Sequence, residues 1–171
     1  MFSAAAIFLG LASYAFILLA IFRLFRINYF NPIVKIFTTY LEPLSKSIFF
    51  FMPPLFAAIS LALLLDFSSL YIELSEKYEL LQIFYISLIN LVNTGFRILL
   101  YCVVGSVVLS WVAPGSNHPL LQIVDDISDR VLNPIRRFLP PMGGLDFTPI
   151  IGILGLNLIA SSFIQIINSL Q

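Results

Sequence analysis

Four long stretches of this chain are apolar, and lipid is the solvent in which a chain built this way folds. Phe2 to Phe22, Ile48 to Leu65 and Phe147 to Leu170 carry no charged residue, and Arg97 is the only one within Leu80 to Val112. At 1.5 Å per residue the first run extends about 32 Å, enough to cross a hydrocarbon core. Composition agrees, with 60% hydrophobic and 11% charged residues, where soluble domains carry about 25% charged. The expected fold class is therefore an all-α membrane protein with four transmembrane helices. No basic residue precedes the first run and Arg23 and Arg26 follow it, so it reads as a retained span and not a cleaved signal peptide.

The connections are patterned too. After the first span, Ile33, Ile36, Phe37, Tyr40, Leu41 and Leu44 recur at helical spacing opposite Lys35, Thr38, Thr39 and Glu42. Pro32 opens this amphipathic helix and Pro43 bends or ends it, which predicts a helix lying on the membrane surface. The second span is expected over Ile48–Leu65, tilted by Pro53 and Pro54, with Asp66, Glu73, Glu76, Lys77 and Glu79 in the loop beyond it. Leu80 to Val112 is long for one span and short for two. We expect a division at Asn90, Asn93 and Thr94, with Leu80–Ile89 interfacial and the third span over Asn90–Val112; one long tilted helix is the alternative. Past a turn at Ala113–Asn117, Pro119 starts a second amphipathic pattern. Its stripe is Leu120, Ile123, Val124, Ile127, Val131, Ile135 and Phe138, and its polar side includes Gln122, Asp125, Asp126, Asp129, Arg130, Asn133, Arg136 and Arg137.

Lys and Arg number four in the first connector (Arg23, Arg26, Lys35, Lys46), one in the second (Lys77) and three in the third (Arg130, Arg136, Arg137). The positive-inside rule then predicts cytoplasmic first and third connectors, with both termini extracytoplasmic. The same plan also occurs twice: a span, an X-Pro step, an amphipathic helix, a second proline, a basic residue and another span. Asn31-Pro32 corresponds to His118-Pro119, and Glu42-Pro43-Leu44-Ser45-Lys46 to Asn133-Pro134-Ile135-Arg136-Arg137. Two parallel repeats related by an axis along the membrane normal are expected, one over 1–66 and the other over 90–171. Between them, 67–89 is an extracytoplasmic acidic loop and interfacial segment.

The segment Asn133 to Pro149 concentrates four prolines, Gly143-Gly144, Arg136-Arg137 and Asp146, a composition that a plain helix does not tolerate. Arg136 and Arg137 suit anionic lipid headgroups or an acidic partner loop, or serve as a topology anchor. Asp146, just before the fourth span, is placed to cap that helix and to bridge to an arginine; ion coordination lacks a second nearby acid. Asp125 and Asp129, four apart, present either two carboxylates to a cation or a solvated face, and Asp126 and Arg130 have salt-bridge spacing. Near the outer end of the third span, Arg97 either snorkels outward or pairs with Asp66 at the end of the second, or it lines a polar path. Asn157, near Gly152, Gly155, Ser161 and Ser162, points to close helix packing and not to a pore.

The run Pro134-Ile135-Arg136-Arg137-X-X-Pro140-X-Met142-Gly143-Gly144-X-Asp146-Phe147-X-Pro149 resembles the signature of the YggT (YlmG) family of integral membrane proteins. Thr148 stands where that family usually has serine, which keeps the hydroxyl. The two-copy plan is similar to that of the longer proteobacterial members. The resemblance implies a multi-pass protein of the bacterial inner membrane. It links the chain to osmotic or ionic stress tolerance, to cell-division genes and, in plastids, to cytochrome complex assembly. It supplies no catalytic residues.

Enzyme chemistry has no constellation to rest on. Cys102 and His118 are each single, so no disulfide, Cys-based metal set or bis-histidine haem site forms within one chain. No phosphate-cradling glycine loop is present. With zero net charge nothing favours nucleic acid. The expectation is a non-enzymatic assembly or membrane-organising factor without cofactor or metal, its partners being anionic lipid headgroups, other membrane proteins and further copies of itself. The contact residues would be Pro134, Arg136, Arg137, Pro140, Gly143, Gly144, Asp146 and Pro149. The alternative is a component of ion transport or osmotic-stress tolerance using Arg97 and Asn157.

Overall fold

The structure is a computed structural model that describes residues 3–139 and 146–169, and every regular element among them is helical. Helix α1 (Ala4–Leu24) starts on Ser3, whose hydroxyl accepts from Ala6 N at 3.1 Å. It ends where Arg26 turns the chain through the left-handed region, φ 51°. The first connector then forms α2 (Pro32–Ile36), a π-helical turn (Phe37–Leu41) and α3 (Glu42–Ile48). Four further helices follow: α4 (Pro54–Leu74), α5 (Leu80–Val112), α6 (Pro119–Arg136) and α7 (Thr148–Asn168). Of these elements, α1, α4, α5 and α7 are long and apolar enough to cross a membrane.

The closest packing is between α1 and α4, and small residues allow it. Ala57, Ala58 and Ala62 are buried, and two hydroxyls bridge the helices: Ser13 donates to the Ala62 carbonyl (2.9 Å) and Ser69 to the Ala6 carbonyl (2.8 Å). Such bonds help hold spans together in lipid, where burial of apolar surface does not. One core joins Phe16, Leu19 and Leu61 to Ile123 and Ile127 of α6; a smaller one joins Val103, Leu132 and Leu156 across α5, α6 and α7. Helix α6 thus contributes to both. A cavity of about 330 Å³ opens among α1, α4, α5 and α7, its wall including Ile17, Leu55, Ile59, Phe96 and Phe163.

Two expectations are corrected. The second span is not Ile48–Leu65 but Pro54–Leu74: Pro54 takes the first helical turn, where its missing N–H costs nothing, and the helix continues through Asp66 because that side chain is buried against α5. The break at Asn90 does not occur. Helix α5 runs unbroken for 33 residues, about 50 Å; Glu79 and Gln82 form a capping box at its start, and the Asn90 amide is spent across the helix interface. Of the two outcomes expected at Pro43, bending or ending the first connector helix, the second does not occur. The π-helical turn just before it loosens the backbone where the proline ring would meet the preceding turn.

The inward faces differ as well. In the first connector Val34, Thr38, Glu42 and Ser45 are buried, whereas Ile36, Tyr40 and Leu44 point outward. The expected stripe is thus divided: Ile33, Phe37 and Leu41 pack on the core while Ile36, Tyr40 and Leu44 stay uncovered by protein, and Glu42 turns inward to its cationic partners. In α6 Ile123, Ile127, Ser128 and Leu132 are buried. Most of its apolar stripe therefore packs on protein, while Leu120 and Phe138 at its two ends stay exposed.

Candidate membrane-surface interface

Two charge networks stand where the connectors meet the spans. In the first, Glu42 is the hub: it accepts from Arg23 at the end of α1 and from Lys46 one turn on, at 3.2 Å, with its own side chain 11% exposed. In the second the hub is Arg136, near the end of α6. Its guanidinium reaches Asp129 Oδ1 at 2.7 Å and Asp146 Oδ2 at 3.4 Å, and these two carboxylates, the Asp129 hydrogen bond foremost, raise its proton affinity.

Asp146 does two things at once. Its Oδ1 accepts from Thr148 N at 2.9 Å and from the Thr148 hydroxyl, capping α7, while Oδ2 faces Arg136. The Thr148 hydroxyl bond, helped by the backbone N–H and by Arg136, holds the carboxyl below the usual carboxylate range. Pro149, second in α7, fits the first turn. Behind this corner Gly152 lies under α6: a Cβ there would stand 2.5 Å from Leu132 Cδ2, so a side chain at this position obliges Leu132 to move.

The outward face of α6 carries Asp125, Asp129, Arg130 and Arg137, all exposed or half-buried. Asp125 accepts from Ser106 of α5 at 2.8 Å and Asp129 is held by Arg136, so the two carboxylates do not converge on a cation. Among the described residues no group of three or more His, Cys, Asp and Glu side chains is placed to hold a metal. Burial pushes the Asp126 carboxyl up although Arg130 opposes the shift. The face is fixed to the first connector at two points. Asn31 caps α2 and donates to the Pro119 carbonyl at 2.8 Å, and Arg130 donates to the Arg26 carbonyl at 3.3 Å.

The structure therefore brings together Pro134, Arg136, Asp146 and Pro149 at the α6–α7 corner, with Arg137 beside them. Pro140, Gly143 and Gly144 lie outside the described residues. Arg97 and Asn157 do not join this corner or each other's bonds. Arg97 is exposed on α5 and the pair with Asp66, one of the alternatives for it, does not form: Asp66 is buried beside Asn90, seven residues before Arg97 on α5, and bonds its amide at 2.9 Å. Asn157 is exposed and donates to the Ile153 carbonyl of its own helix.

Asp66 itself, expected in a loop, sits within α4, 6% exposed, with Oδ2 buried and unpartnered. The sequence carried a signal for it: the apolar run resumes at Phe67 and continues through Leu70, Tyr71 and Ile72.

A family model described as CCB3/YggT matches residues 85–167, which spans most of α5 and all of α6, with α7 nearly to its end. The chain is 40% identical over 80 residues to uncharacterized protein PA0392 of Pseudomonas aeruginosa, a match covering 47% of this chain and 41% of that one. It is 29% identical over 147 residues to uncharacterized protein YggT of Escherichia coli strain K12, covering 83% of this chain and 77% of that protein. The chain thus spans about two fifths of the Pseudomonas relative and about three quarters of the Escherichia one. No solved structure matches it.

Proposed function

Because the chain belongs to the YggT family, a family of membrane proteins, we propose that it is a non-enzymatic inner-membrane assembly or membrane-organising factor that docks other membrane proteins on its cytoplasmic side. In this reading its four spans form two parallel repeats, both connectors lie on the cytoplasmic face and both termini are extracytoplasmic. The observation that carries it is α6. Most of its apolar stripe is taken up by the two cores, which leaves a charged face held by Ser106 and Arg136 and turned outward. A preorganised polar surface of this kind gives specificity at little ordering cost.

The lipid contact belongs mainly to the first connector. There Arg23, Arg26, Lys35 and Lys46 face a single acid, Glu42, and Phe30, Tyr40 and Phe50 are exposed. That mixture suits an anionic headgroup region with acyl chains beneath it. Arg136, by contrast, is already held by two carboxylates.

The second reading, ion transport or osmotic-stress tolerance by an oligomer, draws on Asp66, a buried acid within a span. Against it, the cavity among the spans is lined by apolar side chains and passes neither Arg97 nor Asn157. The test pairs two measurements on the intact protein. Purification in mild detergent should yield a reproducible membrane-protein partner that is lost in Arg137→Glu. Potassium or proton flux in reconstituted vesicles, abolished by Arg97→Leu, would instead overturn the assembly reading.

A further inference from the structure

Helix α5 carries a stripe with no partner. Arg97, Tyr101, Val104, Val108 and Trp111 follow one another at intervals of four, three, four and three residues, and all five are exposed. That spacing aligns side chains along one line of a helix, the seam through which helices interlock. The neighbouring positions turn the other way: Cys102 and Val103 are buried, and Leu99 packs into both cores.

Within this seam Arg97 is out of place for lipid. It is the one charged residue of α5, with seventeen residues of the helix before it and fifteen after, so about 22 Å of helix lies on its shorter side. Its guanidinium makes no ion pair among the described residues. The intramembrane acid of the neighbouring span, Asp66, is buried and bonded to Asn90 instead. An arginine facing hydrocarbon is costly and is ordinarily paired or turned toward a polar interior.

We propose that the Arg97–Trp111 stripe is the docking seam for a membrane-spanning helix of another protein that carries an Asp or Glu within its apolar span. That carboxylate pairs with Arg97 and sets the register, as a single polar residue does in a helical seam. Val104 and Val108 provide the interlocking surface. Trp111 stands at the end of the helix, where aromatic side chains favour the membrane boundary. A second copy of this chain does not fit: a twofold seam of parallel helices brings Arg97 against its own counterpart, and like charges repel. The inference rests on the assembly reading and adds the chemistry of the partner.

The test uses full-length protein in nanodiscs with a labelled single-span polyleucine helix whose central residue is Glu, Gln or Leu, and reads association by energy transfer. The Glu helix is expected to bind at least about tenfold more tightly than the Leu helix, with Gln falling well short of Glu. Arg97→Leu should remove that preference while thermal unfolding in detergent stays cooperative, and Val108→Trp should weaken binding with Arg97 intact. Equal binding of the Glu and Leu helices, a Gln helix as tight as Glu, or an unchanged preference in Arg97→Leu would each overturn the proposal. So would self-association that is lost in Arg97→Leu, because the seam then serves a second copy. If the Glu preference fails while the Arg137-dependent partner persists, the seam is rejected and the assembly role stands; if both fail, both are rejected.

Discussion

The connector between α1 and α4 buries several polar side chains beside Val34 and leaves several apolar ones exposed, whereas the connector between α5 and α7 buries mainly apolar side chains and exposes charged ones. Thr38, Glu42 and Ser45 face inward in the first, with Ile36, Tyr40 and Leu44 outside; Ile123, Ile127 and Leu132 face inward in the second, with Asp125, Asp129 and Arg137 outside. The ion networks are reversed in sign as well. An acid, Glu42, is held by two cations, and a cation, Arg136, is held by two acids. On one sequence plan the chain has made two connectors whose inward faces differ in polarity, and the lesson is that the partners each helix meets decide which of its faces turns inward.

The contrast is open to experiment, and the largest effect is expected at Glu42. Replacing it by alanine removes a buried acid and two charge-assisted bonds, to Arg23 and Lys46, whose side chains are 37% and 49% exposed, and should cost about 2.5 kcal/mol of stability, read by thermal unfolding in detergent. Arg136→Ala, at a hub 37% exposed, should cost about 1 kcal/mol or less. Equal costs would erase the distinction between the two hubs.

Next in size is the fit of α6 on α7. Gly152→Val drives a branched side chain into Leu132 and should cost about 2 kcal/mol, while Gly155→Val, where a Cβ would meet nothing within 4 Å, should be close to neutral. A cooperative but destabilised transition in the first variant alone would show that the second connector depends on this contact.

The smallest effect is at Asp146 and Asp126, whose carboxyls are shifted in opposite directions. Asp146 is held below its ordinary value of 3.8, so it contributes stability at higher pH that is lost as pH falls through the lowered folded value. Asp146→Ala should cost about 1 kcal/mol near neutrality and remove that acid limb. Asp126 is raised, so the folded state binds its proton more tightly and stability declines as pH rises past 3.8; Asp126→Asn should remove that decline. Unfolding measured between about pH 3 and 6 separates the two.

Much of this was legible in the residues. Charge-free runs announced the spans, and Pro32, Pro119 and Pro149 each stand in the first turn of a helix. Asp146 stood where a cap belongs. The polarity of the first connector was not legible, because hydrophobic periodicity locates an apolar stripe without saying whether protein or lipid covers it. Asp66 was misplaced for a related reason: a charge reads as the end of a span unless its partner, Asn90, twenty-four positions away, is known. In the α6 face, Asp125 and Asp129 had the spacing for a shared cation, but Ser106 and Arg136 come from elsewhere in the fold and claim one each.

The sequence by itself determined that lipid is the solvent, how many helices are long enough to cross it, and where prolines and caps punctuate them, since these follow from transfer energies and local backbone chemistry. Only the tertiary structure decided which faces turn inward, that α5 is continuous, that Asp66 lies within a span and that Arg97 is left facing outward. Those outcomes depend on which distant side chains meet, and in a membrane both the protein-facing and the lipid-facing sides of a helix are apolar, so hydropathy alone does not tell them apart.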